Sequence, residues 1–133
     1  MPDAHILLVE PETLLRRTVA MTARSLDLGQ VHEAAGLDAA LRMLHTRTFH
    51  GAVVAVDCIV SNGRRRYDLA LVDRMRAADA AAGRTTPIAI MTNAASPELL
   101  SELRERRISR VILKPFRAKV LLETIANFSG LKI

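Results

Sequence analysis

The 133-residue chain has few of the residues on which several classes of protein depend. Tryptophan is absent, and the aromatic residues are Phe49, Tyr67, Phe116 and Phe128. They provide no evident platform for stacking nucleic-acid bases. Cys58 is the only cysteine, which excludes an intrachain disulfide and a cysteine-based metal site. No apolar run approaches the length of a membrane span, and the first residues do not resemble a signal segment. We therefore expect a cytoplasmic protein with no membrane partner.

The chain does contain many charges and a large apolar fraction. Nineteen Lys and Arg residues against 14 Asp and Glu residues give a net charge of +5, and half of the residues are apolar. The basic residues are spread along the chain, so we interpret them as a solvated surface and do not expect a nucleic-acid partner. The length suits one domain, and we predict a single domain over residues 1–133 with no output domain.

Apolar runs and amphipathic stretches alternate along the sequence. We predict strands over residues 5–9, 30–34, 51–56, 87–92 and 110–113. The predicted helices cover residues 13–26, 37–46, about 68–82, from 97 through Leu103, and 117–128. Gly83 should end the third helix, and Ser96-Pro97 should begin the fourth. This alternation predicts an α/β fold, in which a five-stranded parallel sheet is flanked by five helices.

Chemically distinct side chains follow the predicted strands at their carboxyl ends. Glu10 and Glu12 follow the first strand, Asp57 the third, Thr92 closes the fourth and Lys114 follows the fifth. Open α/β sheets bind their ligands at this edge. Because two acids, a further acid, a hydroxyl and an amine would meet there, the pattern predicts a phosphoryl-binding site.

These residues, with Lys114-Pro115-Phe116 as the most specific local motif, resemble the receiver domain of bacterial two-component response regulators. The resemblance covers essentially the whole chain. It implies a flavodoxin-like sheet of order 2-1-3-4-5, and a histidine kinase or phosphotransfer protein that supplies a phosphoryl group to Asp57. A receiver is not an enzyme in the usual sense, because it catalyses at most its own phosphorylation and slow dephosphorylation.

The resemblance also implies roles for the other site residues. Lys114 would pair with the acyl phosphate, and Thr92 would bind a phosphoryl oxygen. Thr92 and Val111 would occupy the switch positions. Mg²⁺ would be held by Glu10, Glu12, Asp57 and the backbone carbonyl of Ile59.

Signalling in such a domain would use contacts with an output protein. The usual surface is formed by the fourth helix, the fifth sheet strand and the fifth helix. Its basic residues here would be Arg104, Arg106, Arg107, Arg110, Arg117 and Lys119. They favour an acidic partner or an acidic patch on a second copy of the chain, although a merely solvated surface is an equal alternative.

The sequence departs from the family pattern at three places. Pro11 stands where the family has a second acid, so we expect Mg²⁺ to bind weakly. Val111 stands where an aromatic ring usually acts as the switch. The segment after Asp57 is longer than usual, and Arg64, Arg65 and Arg66 within it form either a solvated loop or auxiliary charge for the site.

Two functions therefore remain open. The first is a stand-alone receiver that is phosphorylated at Asp57, and the second is a degenerate receiver that acts as a phosphorylation-independent interaction module. A nucleotide-binding flavodoxin-like protein is disfavoured, because no glycine-rich turn follows the first strand. His5, His32, His45 and His50 show no metal-ligand spacing, and we interpret them as structural.

Overall fold

The computed structural model describes residues 4–108 and 110–128. Its strands are β1 (His5–Val9), β2 (Gln30–Ala34), β3 (Gly51–Ala55), β4 (Ile59–Ser61), β5 (Arg64–Arg66), β6 (Ile88–Thr92) and β7 (Arg110–Leu113). Its helices are α1 (Thr13–Ser25), α2 (Leu37–Thr46), α3 (Ala70–Ala82), α4 (Pro97–Glu105) and α5 (Ala118–Phe128). Every predicted helix and strand is present within two residues of its expected bounds.

Five of the strands form one parallel sheet in the order β2-β1-β3-β6-β7. Counted along the chain, these five strands have the order 2-1-3-4-5 that the resemblance implied. The numbering differs because β4 and β5 lie outside the sheet. Right-handed crossovers through the helices are the usual way to connect such parallel neighbours.

The sheet is buried because side chains of both pleat directions are apolar. In β1, Ile6 and Leu8 face a core that α1 and α5 complete, whereas Leu7 and Val9 face a core that α2, α3 and α4 complete. Successive side chains of a strand point to opposite faces, so each interior strand contributes to both cores. All residues of β6 are buried. This double burial fixes the register and therefore the positions of the residues that follow each strand.

A β-hairpin follows Asp57, where the sequence analysis predicted a loop. Strands β4 and β5 pair antiparallel, and the turn between them contains Asn62 and Gly63. Their φ angles are 53° and 72°. Both are left-handed, as a two-residue type I′ turn requires, and Asn-Gly is the preferred sequence for it. The expectation of a loop was therefore wrong.

Two predicted helix boundaries are confirmed by their capping geometry. The Ser96 hydroxyl accepts a hydrogen bond of 3.1 Å from the backbone N–H of Leu99, and Pro97 occupies the first helical turn of α4. Gly83 caps α3 in the left-handed conformation, with φ of 69°. None of the helices in the described part of the chain is long and apolar enough to cross a membrane.

Candidate functional site

The carboxyl edge of the sheet brings three of the predicted residues into direct contact. The ammonium nitrogen of Lys114, directly after β7, lies 2.5 Å from Oε1 of Glu10, directly after β1. The same nitrogen donates a hydrogen bond of 3.0 Å to Oδ2 of Asp57, two residues after β3. One cation is thus shared by carboxylates that are 47 residues apart in the sequence. The site is therefore an acid–lysine–acid triad.

Glu10 is the buried member of this triad. Its side chain is only 1% exposed, and its second oxygen, Oε2, accepts a hydrogen bond of 3.1 Å from the backbone N–H of Glu12. The Glu10 carbonyl accepts another bond, of 2.8 Å, from Arg16. Burying a carboxylate is costly unless it is paired and hydrogen-bonded, and both requirements are met here. Glu10 thus holds Lys114 at the edge of the sheet.

Lys114 is held from both its backbone and its side chain. Its backbone N–H donates to the carbonyl of Thr92 at 2.8 Å. Partial burial lowers the pKa of the Lys114 ammonium, but its hydrogen bonds to Glu10 and Asp57 raise the pKa more, so the net shift is upward. Lys114 therefore remains a cation at neutral pH and above.

Asp57 is the accessible member of the triad. Its side chain is 33% exposed, which leaves the carboxylate open to a reactant. Oδ2 accepts from Lys114, and Oδ1 accepts a hydrogen bond of 3.0 Å from the backbone N–H of Asn93. A carboxylate has about four lone-pair positions, so these two bonds orient the group without exhausting it.

Thr92 lies at the same edge, and its hydroxyl forms hydrogen bonds with the loop that follows β6. The side chain is fully buried, and Oγ1 donates a hydrogen bond of 3.1 Å to the carbonyl of Ala94. The backbone N–H of Ala94 donates to the same hydroxyl at 3.3 Å. A phosphoryl oxygen on Asp57 would therefore compete with Ala94 for the hydrogen bonds of this hydroxyl.

The predicted metal ligands are only partly brought together. Glu12 occupies the N-cap position of α1 without a side-chain capping hydrogen bond, is exposed, and lines a cleft with Lys114 and Phe116. Among the described residues, no three acidic, histidine or cysteine side chains form a cluster able to hold a metal ion. Of the expected ligands, the carboxylates of Glu10 and Asp57 are joined through Lys114, and Ile59 lines the same cavity as Asp57. This is a minimal set of the type that Mg²⁺ accepts.

A cavity of about 230 Å³ adjoins Asp57, and its walls are mainly apolar. Pro11, Val54 and Leu71 are among its lining residues. Ile59, which begins β4, and Asp68, which precedes α3, also line it. Pro11 contributes a hydrocarbon ring where a second acid would contribute an oxygen. The departure seen in the sequence therefore changes the wall of this cavity.

The three arginines of β5 do not reach Asp57. Arg64, Arg65 and Arg66 are exposed, and within residues 4–108 and 110–128 they form no ion pair. Arg65 and Arg66 line a separate cleft with Glu98 of α4. Auxiliary charge from these arginines would therefore require a movement of their side chains.

Val111 lies half-buried on β7 and packs against the core on the α2–α3–α4 side. Of the basic residues predicted on the output surface, Arg106 is paired with Asp73 of α3 at 2.6 Å. Its other members are exposed, namely Arg104, Arg107, Arg110, Arg117 and Lys119. The surface is therefore basic, although Arg106 is paired with Asp73 and Lys119 lies 3.8 Å from Glu123.

A histidine cluster at the opposite end of the sheet was missed by the sequence analysis. Nδ1 of His5 lies 2.9 Å from Nε2 of His32, and the backbone N–H of His5 donates to Nδ1 of His50 at 2.9 Å. Arg47 lies 2.8 Å from Nδ1 of His5. Burial lowers the pKa of His32, and the charges of Arg47, His5 and Arg24 lower it further. The adjacency of the first two strands was the signal that could have revealed this cluster.

Comparison with known proteins identifies the fold of the chain but finds no close relative in sequence. No family model matches the chain, and no curated protein matches its sequence. Among solved structures, the chemotaxis response regulator CheY4 of Vibrio cholerae is 24% identical with a TM-score of 0.75. That comparison covers 95% of this chain and 98% of the other.

Two further solved structures lead to the same result. The receiver domain of Francisella response regulator 1452 is 15% identical with a TM-score of 0.72, and the comparison covers 96% of this chain and 98% of that one. HP1043, an orphan response regulator of H. pylori, is 13% identical with a TM-score of 0.73, over 95% of this chain and 96% of that one. The chain thus has the fold of response regulator receiver domains over nearly its whole length.

Proposed function

We propose that this chain is a receiver domain that accepts a phosphoryl group on Asp57 and signals through contacts with other proteins. The donor would be a phosphohistidine on a histidine kinase or a phosphotransfer protein. The observation that carries the proposal is the Asp57 carboxylate, which is one-third exposed at the carboxyl end of β3 and is held by Lys114 and Asn93. The receiver fold supports the same conclusion independently.

The chemistry needs one nucleophile and a positioned cation. An oxygen of Asp57 attacks the phosphorus, the phosphorus–nitrogen bond of the donor breaks, and its electron pair remains on the departing imidazole. The product is an acyl phosphate on Asp57. Lys114 is a mobile point charge that can follow the phosphoryl oxygens, on which negative charge is spread during transfer. The domain acts as an acceptor and needs no other catalytic residue of its own.

We propose that Mg²⁺ assists the transfer but binds the unmodified protein weakly. Glu10, Asp57 and the backbone carbonyl of Ile59 would hold it, and it would neutralise charge on the phosphoryl oxygens when bound. Both carboxylates already pair with Lys114, and Pro11 supplies no side-chain oxygen. Because Mg²⁺ exchanges its waters reluctantly, such a site should fill only at high metal concentration.

Intact-mass spectrometry after treatment with acetyl phosphate tests the proposal. The wild-type protein should gain the mass of one phosphoryl group in the presence of Mg²⁺, and Asp57→Asn should gain none. Asp68→Asn is a matched control, because Asp68 lines the same cavity and is also exposed. An undiminished gain in Asp57→Asn would remove Asp57 from the mechanism.

A degenerate receiver that needs no phosphate is the second candidate function. It is favoured by Pro11 in the cavity wall and by Val111, which has no ring to move. In that case the same experiment would leave wild type unmodified by acetyl phosphate even at high Mg²⁺. The protein would then bind its partner equally well with or without the phosphodonor.

The output surface in either case would include α4, β7 and α5. Its exposed arginines and Lys119 suit an acidic partner, or an acidic patch on a second copy, chiefly by raising the rate and specificity of association. Binding through this surface should weaken as the salt concentration rises, since exposed charges are screened. Sedimentation of the protein alone at low and high salt would distinguish a second copy from a different partner.

A further inference from the structure

Asn93, the first residue after β6, links the two strands that flank the acceptor site. Its backbone N–H donates to Oδ1 of Asp57 at 3.0 Å. Its side-chain carbonyl oxygen accepts a hydrogen bond of 2.8 Å from the backbone N–H of Cys58. One exposed residue therefore contacts both Asp57 and the peptide group that follows it.

The peptide N–H of Cys58 belongs to the residue that follows Asp57 in the chain. Backbone N–H groups that converge at the end of a strand form sites for anionic oxygens. Since Asn93 reaches Asp57 and Cys58 at once, the Cys58 N–H lies beside the carboxylate. It is suited to donate a hydrogen bond to an oxygen of a group attached to Asp57, but it already donates to the side chain of Asn93.

We propose that the side chain of Asn93 is a latch that competes with the phosphoryl group for the N–H of Cys58. The inference rests on the proposed function, because it assumes transfer to Asp57. In the unmodified protein the side-chain oxygen of Asn93 accepts the hydrogen bond from the Cys58 N–H. On modification, a phosphoryl oxygen replaces it as the acceptor. Asn93 is exposed, so its side chain can swing into solvent when it is displaced. Asn93 is thus a positioning residue that sets how readily Asp57 is modified.

The competition predicts opposite effects for two substitutions. Asn93→Ala leaves the Cys58 N–H free, and removing one competing hydrogen bond should raise the rate of modification by acetyl phosphate roughly fivefold. Asn93→Asp keeps an acceptor for that N–H but adds a negative charge beside Asp57. The charge should strengthen the hydrogen bond to the Cys58 N–H and repel the anionic acetyl phosphate. The rate should then fall by roughly tenfold.

The experiment measures, for each variant, the rate of modification of Asp57 and the hydrogen-exchange rate of the Cys58 amide. Rates are measured by intact mass with acetyl phosphate and Mg²⁺, and the Cys58 amide is followed by nuclear magnetic resonance and hydrogen exchange. Asn127→Ala is the matched control, because Asn127 is an exposed asparagine on α5. Circular dichroism verifies that each variant is folded.

The latch predicts that Cys58 exchanges faster in Asn93→Ala while modification speeds up, and that Cys58 stays protected in Asn93→Asp while modification slows. A merely structural role would change both variants in the same direction. If wild type is modified but Asn93→Ala alters neither the rate nor the Cys58 amide, the latch is wrong and the proposed function stands. If no variant with Asp57 intact is modified, the proposed function fails and the latch fails with it.

Discussion

Replacing Lys114 with methionine tests whether the buried carboxylate of Glu10 depends on a single cation. Glu10 is 1% exposed, and the side chain of Lys114 is 18% exposed. Methionine keeps the length of the lysine stem but removes its charge. The variant leaves Glu10 buried with only the hydrogen bond from the N–H of Glu12.

The expected loss of stability is about 3 kcal/mol. Removing one partner of a buried ion pair usually costs about 3–5 kcal/mol, because the remaining charge keeps its desolvation cost. The lower end applies because Lys114 is partly exposed to solvent. Asp57 also loses a partner, but it is one-third exposed and water can replace the lysine. Against a typical domain stability of about 5–15 kcal/mol, this loss is large.

Urea unfolding at pH 7, followed by far-ultraviolet circular dichroism, measures the effect. The midpoint should move to lower urea at an unchanged slope. Lys119→Met is the control, because Lys119 is 82% exposed and lies 3.8 Å from Glu123. An exposed pair of this kind contributes about 0.5 kcal/mol or less.

The double variant Glu10→Gln/Lys114→Met completes the cycle. Glutamine has no charge to bury, so the double variant should be more stable than Lys114→Met alone by at least about 1 kcal/mol. The reasoning is refuted if Lys114→Met costs no more than Lys119→Met. It is also refuted if the double variant is no more stable than Lys114→Met.

Three further predictions follow from other parts of the molecule. Pro11→Asp should tighten Mg²⁺ binding in a titration of the unmodified protein, and equal binding would mean that Glu12 already completes the site. The pKa of His32 is lowered in the folded state, so the free energy of unfolding should be highest above about pH 6.5 and should fall as the pH drops below that value. In urea unfolding at several pH values, His32→Gln should weaken this pH dependence. An unchanged pH dependence would exclude His32 as its cause. Beryllofluoride, a phosphate mimic, should shift the resonances of Asp57 and its neighbours but hardly those of Val111, whereas large shifts at Val111 would show that the switch works without a ring.

The positions of the helices and sheet strands could be predicted because burial on both faces leaves a clear apolar signal. The carboxyl ends of parallel strands meet at one edge, so residues that follow the strands had to lie near one another. That reasoning identified Glu10 and Lys114 before any distance was known. It could not give the direction of the Glu12 side chain, which depends on how the chain turns at Pro11 to enter α1.

The hairpin was missed because its strands are short and lack a core-facing pattern. All six residues of β4 and β5 are exposed, and three of them are consecutive arginines. Hydrophobic alternation therefore gave no signal. Asn62-Gly63 was the available signal, since this dipeptide is the strongest local indicator of a two-residue hairpin.

Asn93 could not be identified from the sequence, because its role depends on a side-chain rotamer that reaches a peptide 35 residues earlier. The other residues of the site are likewise engaged in contacts within the protein. Glu10, Asp57 and Lys114 satisfy one another, Thr92 bonds to its own loop, and Asn93 occupies the peptide beside Asp57. An incoming phosphoryl group must therefore exchange internal hydrogen bonds for its own rather than fill vacant donors. If Asp57 is phosphorylated as proposed, the net gain in each such exchange is small, so the modification should depend strongly on a donor protein that binds and positions the phosphoryl group.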